Sequence, residues 1–157
     1  MEMNQGKTPI QDVLNSALDE IKYFAAKQDL QLVIAFPDEL IYGNLDLDKT
    51  ILAFVNLLNN AIRFSPRESE IEIGASQRND QIIAWVKDNG IGIPADKLQK
   101  IFEEYYQIEP PDTRRYSGLG IGLTIAKGLI EAQGGVILAE SEGLGKGSTF
   151  KVILPAA

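Results

Sequence analysis

Apolar residues recur with two different periods along this chain, and the changes of period divide it into elements. From Pro9 to Lys27, the residues Ile10, Val13, Leu14, Ala17, Leu18, Ile21 and Phe24 with Ala25 recur every three or four positions. That period predicts an amphipathic helix entered through Pro9. Leu30, Leu32, Ile34 and Phe36 instead alternate, so Gln31 to Phe36 is predicted as a strand closed by Pro37-Asp38. After a short Ile41-Tyr42-Gly43 segment the helical period returns. Ile51, Phe54, Val55, Leu58, Ala61 and Ile62 share one broad face, with Asn44 or Asp46 as cap and Ser65-Pro66 as stop. Asn56, Asn60 and Arg63 gather on the other side within about 60°. Asn56 and Asn60 stand at i and i+4, where two amides can converge on one ligand or ion.

Beyond Pro66 the pattern is mostly alternating. Glu70 to Ser76 and Gln81 to Lys87, joined by Arg78-Asn79-Asp80, predict an antiparallel hairpin. The run Asp88-Asn89-Gly90-Ile91-Gly92-Ile93-Pro94 then breaks the alternation, and Pro94 or Ala95 opens a short helix through Lys100. Tyr105 to Ser117 carries Pro and Arg without a clean period and is read as a mobile loop. Gly118-Leu119-Gly120-Ile121-Gly122-Leu123 leads into a helix with Ile125, Leu129 and Ile130 as apolar positions, stopped by Gly134-Gly135. Val136 to Glu140 and Ser148 to Leu154 form a closing hairpin across Gly143 to Gly147. The alternation of helices and strands predicts a single α/β domain over residues 9–157, preceded by a polar tail at 1–8, with a mixed sheet covered on one face by helices.

Composition narrows the chemistry. A chain of 157 residues, 45% hydrophobic, suffices for one buried core. A net charge of −7 argues against a nucleic-acid surface. No apolar run approaches a membrane span. The lack of Cys removes thiolate chemistry and fits a cytoplasmic domain. The lack of His excludes an imidazole base, an imidazole metal site and any phosphohistidine within this sequence.

Two glycine stretches remain. Asp88-Asn89-Gly90 would suit a tight turn, yet it continues to Gly92-Ile93-Pro94, leaving a carboxylate at a strand end beside backbone that a ligand can approach closely. Gly118, Gly120 and Gly122 precede a helix, where free amides and the positive end of the dipole favour a phosphate. The G-x-G-x-G spacing after a polar loop is not a dinucleotide fingerprint, and Gly145-Lys146-Gly147 lacks the flanking residues of a P-loop.

In this order, the stretches resemble the ATP-binding catalytic domain of sensor histidine kinases, within the superfamily that also holds gyrase, Hsp90 and MutL. Asn56 to Ser65 resembles the asparagine box and Asp88 to Gly92 the first glycine box. Phe102 to Gln107 resembles the phenylalanine box and Gly118 to Leu123 the second glycine box. The resemblance runs from about Ile10 to Pro155. It implies a two-layer α/β sandwich of about five strands and three main helices, with ATP between the helices and a mobile lid.

The resemblance also implies roles. Asn60 would ligate Mg²⁺ through its amide oxygen, with Asn56 in support and Arg63 toward phosphate. Asp88 would accept from the adenine amino group, while Gly90 and Gly92 admit the base. Ile93, Leu98 and Leu123 would wall the pocket, Phe64, Phe102, Tyr106 and Leu119 are further expected nucleotide-binding residues, and Gly118, Gly120 and Gly122 would present amides to the phosphates. Relatives of the gyrase type carry a Glu base four residues before the metal Asn. Here that position is Asn56, which cannot accept a proton at neutral pH, and this favours a phosphotransferase. The phenylalanine box ends in neutral Gln107 where the family often has Arg, so Arg114 or Arg115 is expected to contact phosphate instead. With no His of its own, the domain is expected to act on the dimerisation and phosphoacceptor domain of the same parent kinase, and through it on a response regulator. The isolated domain is expected to be monomeric, and the parent's membrane anchoring is left open. A serine kinase of the anti-sigma-factor type, or a nucleotide-binding regulatory module without transfer activity, stays open as an alternative.

Overall fold

The computed structural model describes residues 2–103 and 122–157. The element order is β1 (Gly6–Pro9), α1 (Ile10–Lys27), β2 (Gln31–Ala35), β3 (Tyr42–Leu45), α2 (Leu47–Phe64), β4 (Glu70–Arg78), β5 (Gln81–Asp88), α3 (Gly122–Glu131), β6 (Val136–Glu140) and β7 (Ser148–Pro155). Single 3-10 turns at Ala95–Lys97 and Lys100–Phe102 replace the short helix expected from Pro94 to Lys100.

Five strands form one mixed sheet in the order β2-β4-β5-β7-β6, in which only β2 and β4 run parallel. Alternation decides which face is buried. Ile71, Ile73 and Ala75 of β4 lie on the same face as Ile82, Ala84 and Val86 of β5 and Phe150, Val152 and Leu154 of β7. All nine are buried in one core with the inner residues of the three helices. The expected two-layer arrangement is therefore observed. The outer face is partly covered by its own residues: the Trp85 indole lies over Gly74, where a Cβ would collide with it, and donates to Glu72 Oε2 at 2.8 Å.

Residues 6–8, expected within a polar tail, instead enter a two-stranded sheet with β3. Their side chains carry no apolar period, and main-chain pairing recruits them, helped by the Lys7 ammonium 4.7 Å from the centre of the Tyr42 ring. A second departure concerns Ile34, which the alternation places inward but which is 54% exposed. It sits on the edge strand β2, whose Val33 is also exposed. Ile125 of α3 is likewise exposed, the stripe of that helix being Ala126, Leu129 and Ile130.

Helix α2 lies between the other two. Its buried stripe is Ala53, Phe54, Leu57, Leu58, Ala61 and Ile62, whereas Ile51 and Val55 are only half-buried. Asp46 caps it, accepting from the Lys49 N–H at 3.0 Å. The far end of α3 is stopped as its sequence suggests: Gly134 takes φ +80°, and its N–H and that of Gly135 return to the carbonyls of Glu131 and Ile130. This double closure is the Schellman arrangement. Gln133, buried within this closure just before Gly134, accepts from the Asp46 N–H and the Thr50 hydroxyl and thereby joins the end of α3 to the start of α2.

Candidate functional site

Asp88 ends β5 on the inward-facing set Ile82, Ala84, Val86, so alternation carries a carboxylate onto the core face. It is 2% exposed. The register pairs it with Ser148 of β7, itself on the inward set with Phe150 and Val152. The Ser148 hydroxyl donates to Asp88 Oδ2 at 3.0 Å, and the Gly90 N–H donates to Oδ1 at 2.8 Å. Burial raises the Asp88 pKa above its ordinary value, opposed first by the Gly90 N–H and then by the Ser148 hydroxyl and N–H. No Lys or Arg forms an ion pair with it among the described residues. A carboxylate in this state retains acceptor capacity for a donor presented by a ligand.

The loop beyond Asp88 packs too closely for side chains. A Cβ on Gly90 would collide with the carbonyl of Phe64, which seats the loop against the C-terminal end of α2. Gly92 takes φ +74°, and a Cβ there would strike the Gly143 carbonyl. Ile93 is buried in the core, while Leu98 and Phe102 pack partly buried against it.

On α2, Asn56 and Asn60 are half-buried and Arg63 is exposed. The Asn56 Nδ2 donates to the Leu52 carbonyl at 2.9 Å. Its Oδ1 lies toward the start of α3, 3.2 Å from where a Gly122 Cβ would stand. No side-chain hydrogen bond or ion pair joins Asn60 or Arg63 to another described residue. The phenylalanine-box and second-glycine-box ends also meet: Thr124 Oγ1 donates to the Phe102 carbonyl at 2.7 Å, and the Phe102 ring stands edge-on to Phe150 at 6.1 Å. Leu123 is half-buried on the first turn of α3 and packs against the core. Tyr106, Gln107, Arg114, Arg115, Gly118, Leu119 and Gly120, with the loop expected from Tyr105 to Ser117, lie outside the described residues.

The tertiary structure thus brings Phe64 to Gly90, Asn56 to Gly122 and Phe102 to Thr124. It adds Ser148, Gly147 and Ser141, which sequence reasoning left in an ordinary hairpin. Ser148 had a readable signal, a hydroxyl on the inward-facing register of a strand. Gly147 had none, since its close approach to the Asp88 carbonyl is visible only once β5 and β7 are paired.

In this two-layer sandwich the Phe64 end of the asparagine box and the strand β7 residue Ser148 both meet the segment that begins at the buried Asp88. The chain matches, over residues 46–157, the family described as "Histidine kinase-, DNA gyrase B-, and HSP90-like ATPase", and belongs to it. It is 36% identical over 132 residues to the sensor protein kinase WalK of Staphylococcus haemolyticus, covering 83% of this chain and 22% of that protein. It is 35% identical over 156 residues to the sensor protein SrrB of Staphylococcus aureus, covering 99% of this chain and 26% of that protein. The chain therefore spans about a quarter of the length of these relatives. Full-length ShkA, solved in complex with AMPPNP, superposes with a TM-score of 0.84 at 24% identity, covering 100% of this chain and 32% of that one. No helix among the described residues is long and apolar enough to cross a membrane.

Proposed function

We propose that this domain binds Mg·ATP and supplies the γ-phosphoryl group to a histidine on a separate dimerisation and phosphoacceptor domain of its parent kinase, in two-component signalling. The observation that carries the ATP reading is Asp88: a buried carboxylate, held by a backbone N–H and a hydroxyl, in a loop with no room for side chains at Gly90 and Gly92. That donor-acceptor balance suits an exocyclic amino group, which gives the acceptor a hydrogen that water is kept from supplying. The relationship to WalK and SrrB and the AMPPNP bound to ShkA support the same reading.

The residues present also fit a magnesium ion. Asn60 and Asn56 offer neutral oxygen donors one turn apart, and Mg²⁺ takes few protein ligands while keeping waters and phosphate oxygens. When bound, the ion neutralises phosphate charge. Asn56, whose Nδ2 is engaged by Leu52, is held with Oδ1 toward the second glycine box. Arg63 is exposed and free to reach a phosphate, with Arg114 or Arg115 as further cations. Because an asparagine amide takes no proton at neutral pH, Asn56 positions and does not activate water. Catalysis in this domain is then placement of the phosphoryl group against an acceptor, which the chain cannot supply because it has no His.

The test is incubation with γ-labelled ATP and Mg²⁺, with and without the parent's acceptor segment. Label appearing only with that segment, and released by acid, is the expected result. Acid-stable label on serine, or ATP binding without any labelling, would overturn the transfer reading.

A further inference from the structure

The glycine-rich turn between β6 and β7 has no role in the expected site, yet residues 141–148 touch the loop 88–93 along its length. Ser148 and Gly147 meet Asp88, the first by its hydroxyl and the second by backbone packing on the Asp88 carbonyl. The Gly145 N–H donates to the Ile91 carbonyl at 2.8 Å, and Gly92 faces the Gly143 carbonyl. At the far end Ser141 accepts from the Ile93 N–H at 3.0 Å and from the Gly143 N–H at 3.2 Å, and donates to the Gly147 carbonyl at 2.7 Å. A hydroxyl has one donor and two acceptor positions, and all three are used.

Four glycines in these two loops, Gly92, Gly143, Gly145 and Gly147, take positive φ. Such residues hold no conformation of their own, so ties from elsewhere must choose it. Ser141 is the tie that reaches both loops and the return of the turn at once. We propose that Ser141 is a positioning residue for nucleotide recognition, bracing the 141–147 turn against the first glycine box so that Asp88 and Ile93 are fixed relative to each other. The proposal rests on the reading of Asp88 as the base acceptor. The partner chemistry is a purine base carrying an amino group, because the brace acts on the base end of the site and on none of Asn56, Asn60 or Arg63.

Replacing the hydroxyl leaves the Ile93 N–H, on a residue 3% exposed, without its acceptor. Ser141→Ala is expected to weaken adenosine and ATP by the same factor of about ten, the scale of one unpaired buried donor. Ser141→Thr, which keeps the oxygen, is expected to stay within about twofold of the unaltered chain. In ligand-free protein, hydrogen exchange at the Ile93 amide should accelerate in Ser141→Ala while Ile73 and Val86 in the central strands stay protected. Unchanged exchange at Ile93 overturns the brace, as does equal loss of protection at Ile73 and Val86, or weakened binding in both Ser141 variants. Asp88→Asn run in parallel separates the two ideas. If it binds adenosine normally, the reading of Asp88 fails, while the exchange at Ile93 still judges the brace.

Discussion

Two buried aspartates, one at each end of the helix layer, are driven in opposite directions. Asp46 is 5% exposed and Asp88 2%. Asp46 accepts from the N–H groups of Asn4 and Lys49, with the Lys49 ammonium 3.4 Å away, and these contacts lower its pKa despite burial. Asp88 is held by the Gly90 N–H and by the hydroxyl and N–H of Ser148 with no cation beside it, and burial wins. Low exposure by itself therefore says little about the state of a carboxylate. Asp46 has a cation beside it, whereas no described Lys or Arg pairs with Asp88, and under the proposed function its remaining acceptor capacity is what a ligand donor would use.

The largest expected effect is on binding. Asp88→Asn should weaken adenosine and ATP about tenfold to a hundredfold, since a hydrogen bond to an ionised acceptor contributes roughly 1.5–3 kcal/mol. The ligand-free protein should be no less stable, because a buried charge is removed. Calorimetry showing unchanged affinity would mean that Asp88, like Asp46, takes no part in binding. Asp46→Ala should do the reverse, costing about 1 kcal/mol of stability as a lost helix cap while leaving nucleotide affinity intact. Denaturant midpoints and calorimetry on the same sample decide it. Ser148→Ala should lower affinity a further step down in scale, by about twofold to fivefold, because it removes one of the groups holding Asp88 ionised.

The smallest effect is in the pH dependence, where the two signs separate. Asp46 has a lowered folded pKa, so its contribution is present above the usual value of 3.8 and is lost as pH falls through the lower folded value. The stability gap between the parent chain and Asp46→Asn should narrow over that acid range. Asp88 has a raised folded pKa, so its burial penalty is complete above that value and is relieved as pH falls through it toward 3.8. Adenosine affinity should decline over the same window in the parent chain and stay flat in Asp88→Asn. Parallel declines in both proteins would mean that Asp88 is not the titrating group.

The periodicities of the sequence determined most of the elements, because a helix or strand with one buried face must repeat its apolar residues at a fixed spacing. The α2 helix, the β4–β5 and β6–β7 hairpins, the glycine stop after α3 and the two-layer class were all readable this way. The same reading placed Asn56 and Asn60 opposite the apolar face of α2 and Asp88 as a carboxylate at a strand end, but not the burial of any of the three. The pattern misjudged Ile34 and Ile125, since a period specifies a face but not whether another element covers it, and it missed β1, which is recruited by main-chain pairing.

Only tertiary structure decided which polar groups meet. The partnership of Asp88 with Ser148 spans 60 residues and exists because β5 pairs with β7. The seating of Gly90 on Phe64 and of Gly92 on the 141–147 turn depends on distances below one side chain's width, which no local spacing encodes. The opposite states of Asp46 and Asp88 follow from the same cause. Each carboxylate has a lysine within three residues in the sequence, Lys49 and Lys87, and the fold decides that, among the described residues, only the first of these pairs with its aspartate.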